Sequence, residues 1–177
     1  MWYKESKKKY TSAIVAIWFD KSDIDSLKLT HNISASESTK DEEFHITLMY
    51  LGELSDIKKD RRLIEKCLEN ISSNVKSFPI NLGGVAQFFN NEKKKPLVFT
   101  INSVELEDLR NQVKQAMASI GINEPDGSPA FVPHMTLGFV EDFNNLNDIS
   151  LKSYAMKVKG MHISWGGDLK EFKFKTK

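Results

Sequence analysis

Two short stretches of the sequence share one arrangement: FHITLMYLGE, residues 44–53, and FVPHMTLGFV, residues 131–140, each set a histidine two residues before a threonine and a leucine. Side chains alternate faces along a strand, so His45 and Thr47 lie on one face, about 7 Å apart, as do His134 and Thr136. If the two strands face a common cleft, two imidazoles and two hydroxyls converge. Splitting a phosphodiester without a metal calls for such a set. One group must take a proton from the attacking oxygen and another must give one to the leaving oxygen, and histidine does either near neutral pH. Two are needed because the oxygens stand on opposite sides of the phosphorus, in line. The threonine hydroxyls donate to the non-bridging oxygens, and β-branching restricts how far each can wander.

A lone His-x-Thr in a strand is ordinarily a hydrogen-bonded structural histidine; two copies in equivalent contexts point to chemistry. The rival use of paired histidines is a metal site. Neither His45 nor His134 falls in an H-E-x-x-H or C-x-x-C pattern, so no metal ligand is expected. His31 and His162 read as structural or solvent-facing. Strict alternation further predicts that Met49 and Leu51 share the His45 face with Tyr50 opposite, and that Gly138 shares the His134 face with Phe139 opposite.

The elements that must hold these residues alternate between strand and helix. TSAIVAIWF, residues 11–19, is an apolar, partly β-branched run that reads as a buried strand, with a short helix over 23–29 after it. The polar stretch 33–41 is a loop leading into the first His-x-Thr strand. Ser55 and Asp56 are candidate caps for a helix whose apolar stripe runs through Ile57, Ile64, Cys67, Leu68, Ile71 and Val75. Residues 78–89 and 95–101 form a hairpin with the basic tip Lys93 to Lys95. A helix through Leu106, Leu109, Val113 and Met117 stops at Gly121, and the Pro- and Gly-rich loop 123–131 feeds the second motif. Residues 154–165 and 169–175 read as two closing strands around the turn Gly166-Gly167-Asp168.

With 177 residues, 40% hydrophobic and 28% charged, the chain fits one globular domain, with residues 1–10 as a basic N-terminal arm. Formal net charge is +1 and only three of the 25 basic residues are arginine, so a small ligand fits better than a long duplex. The single Cys67 forms no internal disulfide and reads as a packed, inert thiol. No apolar run approaches the ~20 residues that span a bilayer, so a cytoplasmic setting without membrane or obligate protein partner is the expectation.

The two motifs resemble the paired signatures of the 2H phosphoesterases, the superfamily of bacterial RNA 2′,5′-ligase and cyclic phosphodiesterase-like proteins. FPINLGGVAQFF, PLVFTI, the helix after them, IGINEPDG and PHMTLGF follow that family's usual order, and the resemblance spans residues 11–174. It implies a bilobal α+β fold, two antiparallel sheets flanking a central cleft with helices outside. It also implies no cofactor, His45 and His134 as the acid/base pair, and Thr47 and Thr136 as phosphate-binding hydroxyls. Implied substrates are small cyclic nucleotides or oligonucleotides, among them the cyclic di- and trinucleotide immune signals destroyed by phage anti-CBASS nucleases, which would place the protein in host cytoplasm. RNA ends are the alternative substrate, and a non-catalytic nucleotide-binding module the alternative role. Aromatic side chains would carry the bases by stacking: Phe88 and Phe89 at the hairpin, Tyr10 or Trp18 by the first strand, and Trp165 beside the glycine turn, with Tyr10, Phe88 and Trp165 as the substrate-binding candidates.

Overall fold

The computed structural model describes residues 10–31, 44–88, 95–125, 130–140 and 153–176. The loop expected at 33–41, the basic arm up to residue 9, Phe89, Lys93 and Lys94 lie outside them. Branched, apolar side chains make β1 (Ser12–Trp18), and α1 (Lys21–His31) follows it. The first motif is β2 (His45–Glu53); α2 (Arg61–Ser72), β3 (Phe78–Gln87), β4 (Lys95–Asn102) and α3 (Val104–Ser119) come next. The second motif is β5 (His134–Val140), and β6 (Tyr154–Val158), β7 (Gly160–Trp165) and β8 (Asp168–Lys173) complete the order.

The strands form two four-stranded antiparallel sheets, ordered β2-β1-β7-β8 and β5-β4-β3-β6. Each motif strand is thus the edge of its sheet, and β2 and β5 run next to each other. The two sheets meet along the strands that carry the histidines. One face of each sheet, with the inner faces of all three helices, makes a continuous core through Val15, Ile17, Leu68, Phe99, Val113, Met135 and Ile163. The other face, where the histidines stand, is left half-exposed. This is the α+β, two-sheet architecture expected.

Two expectations need correction. The α2 cap is Asp60, whose side chain accepts from the Arg62 N–H at 2.9 Å, not Ser55 or Asp56. Those two belong to a turn after β2, where the Asp56 N–H bonds the Glu53 carbonyl, so the helix starts a turn later and Ile57 precedes it. The apolar run 154–165 is not one strand but two, with β6 in one sheet and β7 in the other. The buried positions shift phase at the crossing, from Met156 and Val158 to Met161 and Ile163, as they would at a bulge within one strand; the marker is Gly160, where an added Cβ would stand 2.7 Å from the Phe172 carbonyl oxygen. On α3, the Ser103 hydroxyl accepts from the Leu106 N–H, and Gly121 takes φ 79° after the helix as a stop residue should. Cys67 is partly buried against the core.

Candidate active site

The repeated leucine turns out to be part of the motif's geometry. In β2, Ala16 pairs with Thr47 and Val15 with Met49, which leaves Leu48 without a partner position. In β5, Val98 pairs with Thr136 and Leu97 with Gly138, which leaves Leu137 in the same situation. Each His-x-Thr is therefore followed by a β-bulge centred on its leucine. A bulge turns the pleat by one residue. Leu48 and Met49 both point into the core, 1% exposed, and Leu137 and Gly138 are both buried. From there the alternation is inverted, so Tyr50 and Phe139 stand on the histidine face. The expectation that Met49, Leu51 and Gly138 share that face is corrected by these bulges, a further one falling at Leu51. Bulges are frequent beside active sites because they re-aim side chains.

Around the first histidine, Trp18 is the cross-strand partner of His45, and the two rings stack with centroids 4.8 Å apart and planes 21° apart. On its other side the Trp18 ring meets His162 edge-on at 5.7 Å, and the Trp18 backbone N–H donates to His162 Nδ1 at 3.5 Å. Burial pushes the His162 pKa down, against the opposing pull of Glu171 and Asp20. His162 is thus a neutral ring bracing the tryptophan that packs on His45. Around the second histidine, His134 Nδ1 lies 2.7 Å from the Val132 carbonyl oxygen. A carbonyl only accepts, so the proton sits on Nδ1 and proton exchange is left to Nε2. Phe88 meets the His134 ring edge-on at 4.6 Å. The strand entry is fixed by the Ile101 N–H bonding the Pro133 carbonyl at 3.0 Å, and by Arg110, which lies 4.4 Å from the Phe131 ring centroid and bonds Glu124 at 2.6 Å.

Thr47 and Thr136 are both half-buried, and each stands opposite a fully buried small apolar residue, Ala16 and Val98 respectively. Neither hydroxyl has a hydrogen-bond partner among the described residues. By contrast, the Thr100 hydroxyl, opposite His134, is committed to the Gly84 carbonyl at 3.2 Å. Among the described residues no three His, Cys, Asp or Glu side chains come together as a metal site.

Of the aromatic candidates, the structure brings Phe88 to the site and leaves Tyr10 and Trp165 away from it. Trp165 pairs with Ala13 and shares the core-facing side of its sheet, with the Arg61 guanidinium 5.9 Å from its ring centroid. Its place beside the glycine turn says nothing about which face it takes. Tyr10 packs over Gly167 at the Ser12 end of β1, roughly 20 Å along the strand from Trp18. Trp18, Tyr50 and Phe139 hold the positions beside the motif residues instead. For the last two, the signal was the pair of consecutive buried residues after each threonine, which breaks strict alternation. Lys95 begins β4, opposite Val140.

A sequence model of the 2′-5′ RNA ligase superfamily matches residues 20–159, which include both motif strands. The fold is similar to that of TT0787 of Thermus thermophilus, at 14% identity and a TM-score of 0.71 over 93% of this chain and 99% of that one. It is also similar to E. coli LigT in its apo form (16% identity, TM-score 0.59, covering 95% of this chain and 96% of that one). Usb1 of Kluyveromyces marxianus matches at 11% identity and a TM-score of 0.55, over 93% of this chain and 99% of that one. At such identities the likeness is one of fold.

Proposed function

Because the chain belongs to the 2′-5′ RNA ligase superfamily, the 2H phosphoesterases, and is an enzyme of their phosphodiesterase class, we propose that it cleaves phosphodiester bonds of small nucleotides. His45 and His134 act as the acid and base, and Thr47 and Thr136 hold the non-bridging oxygens. The observation that carries this reading is the matched pair of bulged His-x-Thr-Leu strands on the two adjoining sheet edges. One imidazole takes the proton of the attacking hydroxyl as its oxygen bonds to phosphorus; the other gives a proton to the leaving oxygen as that bond breaks. Their protonation states are exchanged at the end of the step. On a substrate with a ribose 2′-hydroxyl beside the phosphate the attacker is that hydroxyl, and on a 2′,3′-cyclic phosphate it is water. For His134 the exchanging atom is Nε2, since Nδ1–H is held by Val132.

Bases rest on Tyr50, Phe139 and Phe88, each stack contributing about 1 to 3 kcal/mol. We place cyclic di- and trinucleotides first among the substrates, as for a phage anti-CBASS nuclease working in a cytoplasmic setting. A net charge of +1 with three arginines supports a small ligand over a long polyanion. E. coli LigT has been crystallised with 3′-AMP, NADP+ and ATP, ligands of one or two nucleotides. The second reading, 2′,3′-cyclic or 2′-5′ linkages at RNA ends, is favoured by the description of the matching superfamily. Turnover in EDTA of 2′,3′-cyclic AMP, 2′-5′ oligoadenylate, 3′3′-cyclic GMP-AMP and a cyclic trinucleotide tests both. Cleavage of the cyclic di- or trinucleotide, lost in the His45→Ala/His134→Ala protein, is the expected result. Cleavage confined to the first two substrates moves the protein to RNA ends, and no turnover of any of the four overturns the proposal.

A further inference from the structure

β7 carries a third His-x-hydroxyl pair, His162-Ile163-Ser164. The sheet register sets it on the same face as the first motif. Ala16 is the cross-strand partner of both Thr47 and His162, and Ile14 is the partner of both Tyr50 and Ser164. The pair therefore lies two strands away, roughly 10 Å, from Thr47 and Tyr50. On β8, Glu171 stands opposite His162 and Leu169 opposite Ser164. Ser164 is half-buried and its hydroxyl has no hydrogen-bond partner among the described residues. Leu169 keeps 47% of its surface exposed, unusual for a leucine in a sheet.

The chemistry of this patch is polar but not cationic. His162 accepts the Trp18 N–H at Nδ1, so its ring proton is on Nε2 and it donates without carrying charge. The Glu171 carboxylate accepts, and among the described residues its one ion pair is with Lys173 Nζ at 3.9 Å, both side chains well exposed. The Ser164 hydroxyl does both. Among the described residues a phosphate would meet a carboxylate and no unshared cation there. A nucleoside meets a donor, an acceptor and a hydroxyl for its ribose hydroxyls or base edge, with Leu169 and Ile14 as an apolar floor.

We propose that His162, Ser164, Glu171 and Leu169 form a second nucleoside subsite, which holds the sugar or base of the nucleoside joined to the phosphate being cleaved. This rests on the reading of the chain as a nucleotide phosphodiesterase. The test compares 2′,3′-cyclic AMP, which has one nucleoside, with 2′-5′ diadenosine monophosphate, which has two, for wild type, Ser164→Ala and Glu171→Gln. Whichever member is not turned over is measured as a competitive inhibitor of the other, so a Ki replaces its KM. Each variant is expected to raise KM or Ki for the dinucleotide by about 3- to 10-fold, the loss of one hydrogen bond, and to change that of 2′,3′-cyclic AMP by less than about two-fold. Equal losses on both ligands, or none on either, overturn the subsite while leaving the phosphodiesterase reading in place. Where wild type turns over only the cyclic di- or trinucleotide, both ligands are measured as competitive inhibitors of that reaction, and turnover of none of these substrates overturns that reading and the subsite with it.

Discussion

Thr47→Val and Thr136→Val are the sharpest perturbations of the proposed chemistry. Valine keeps the shape and the β-branch, so the packing against Ala16 and Val98 survives, and only the hydroxyl is lost. Both hydroxyls lack a partner among the described residues, so neither substitution strands a protein group. What disappears is a hydrogen bond to a charged phosphate oxygen, worth about 1.5 to 3 kcal/mol. At 1.36 kcal/mol per factor of ten, kcat/KM should fall about 10- to 150-fold in each variant. The same bulge follows each threonine, so the two losses should agree within a few-fold. Thr→Ser at either position restores the donor but frees its rotamer, and should stay within about 5-fold of wild type. The assay is kcat/KM on the best nucleotide substrate, with thermal melts confirming the fold. A valine variant within about three-fold of wild type refutes the assignment of that hydroxyl, and a serine variant as damaged as the valine one refutes its role as donor.

Three further outcomes follow from the structure. Gly160→Ala must push β7 from β8, because its Cβ would sit 2.7 Å from the Phe172 carbonyl oxygen; a cost of about 1 to 3 kcal/mol lowers Tm by roughly 2 to 12 °C, and an unchanged Tm contradicts the close approach. His162 has a depressed pKa in the fold, so the stability it contributes is whole above the unfolded value of ~6.5 and is lost as pH falls from there through the lower folded value. Asp20, Glu53, Glu65 and Glu124 are lowered too, and their contribution is lost mainly below about pH 4.5, so between pH 7 and 5 the comparison of wild type with His162→Gln reads the His162 ring. Tm should drop over that interval in wild type and drop less in His162→Gln; equal drops contradict the buried neutral ring. Activity should survive EDTA, and a rate abolished by the chelator and restored by Zn²⁺ or Mn²⁺ would return a metal to the chemistry.

The strand faces of the four proposed catalytic residues and most elements were legible because strand alternation and helical spacing are local properties. His45, Thr47, His134 and Thr136 could be placed on strand faces from their spacing alone, and Ser103 and Gly121 mark the ends of α3 through capping chemistry. What could not be read was decided by contacts distant in sequence. The bulges at Leu48 and Leu137 depend on the register of β1 and β4, and they alone bring Tyr50 and Phe139 to the histidine face. Trp165 lost its place to Trp18 because the face of a strand-end aromatic is fixed by its cross-strand partner, Ala13 here. The crossing at Lys159 and Gly160 was hidden because the one-residue shift in apolar phase between Val158 and Met161 is also what a bulge within a single strand produces. His162 was set aside for want of a threonine, although Ser164 supplies a hydroxyl at the same spacing.

The most direct test of the central claim is the kcat of His45→Ala, His134→Ala and the double variant on one nucleotide substrate. Groups that act as a unit give non-additive losses. Each single variant should lose about 10²-fold or more, and the double variant should be little worse than the poorer single one. A single variant that keeps wild-type kcat, or losses that multiply in the double variant, would contradict a shared acid and base working on one phosphate.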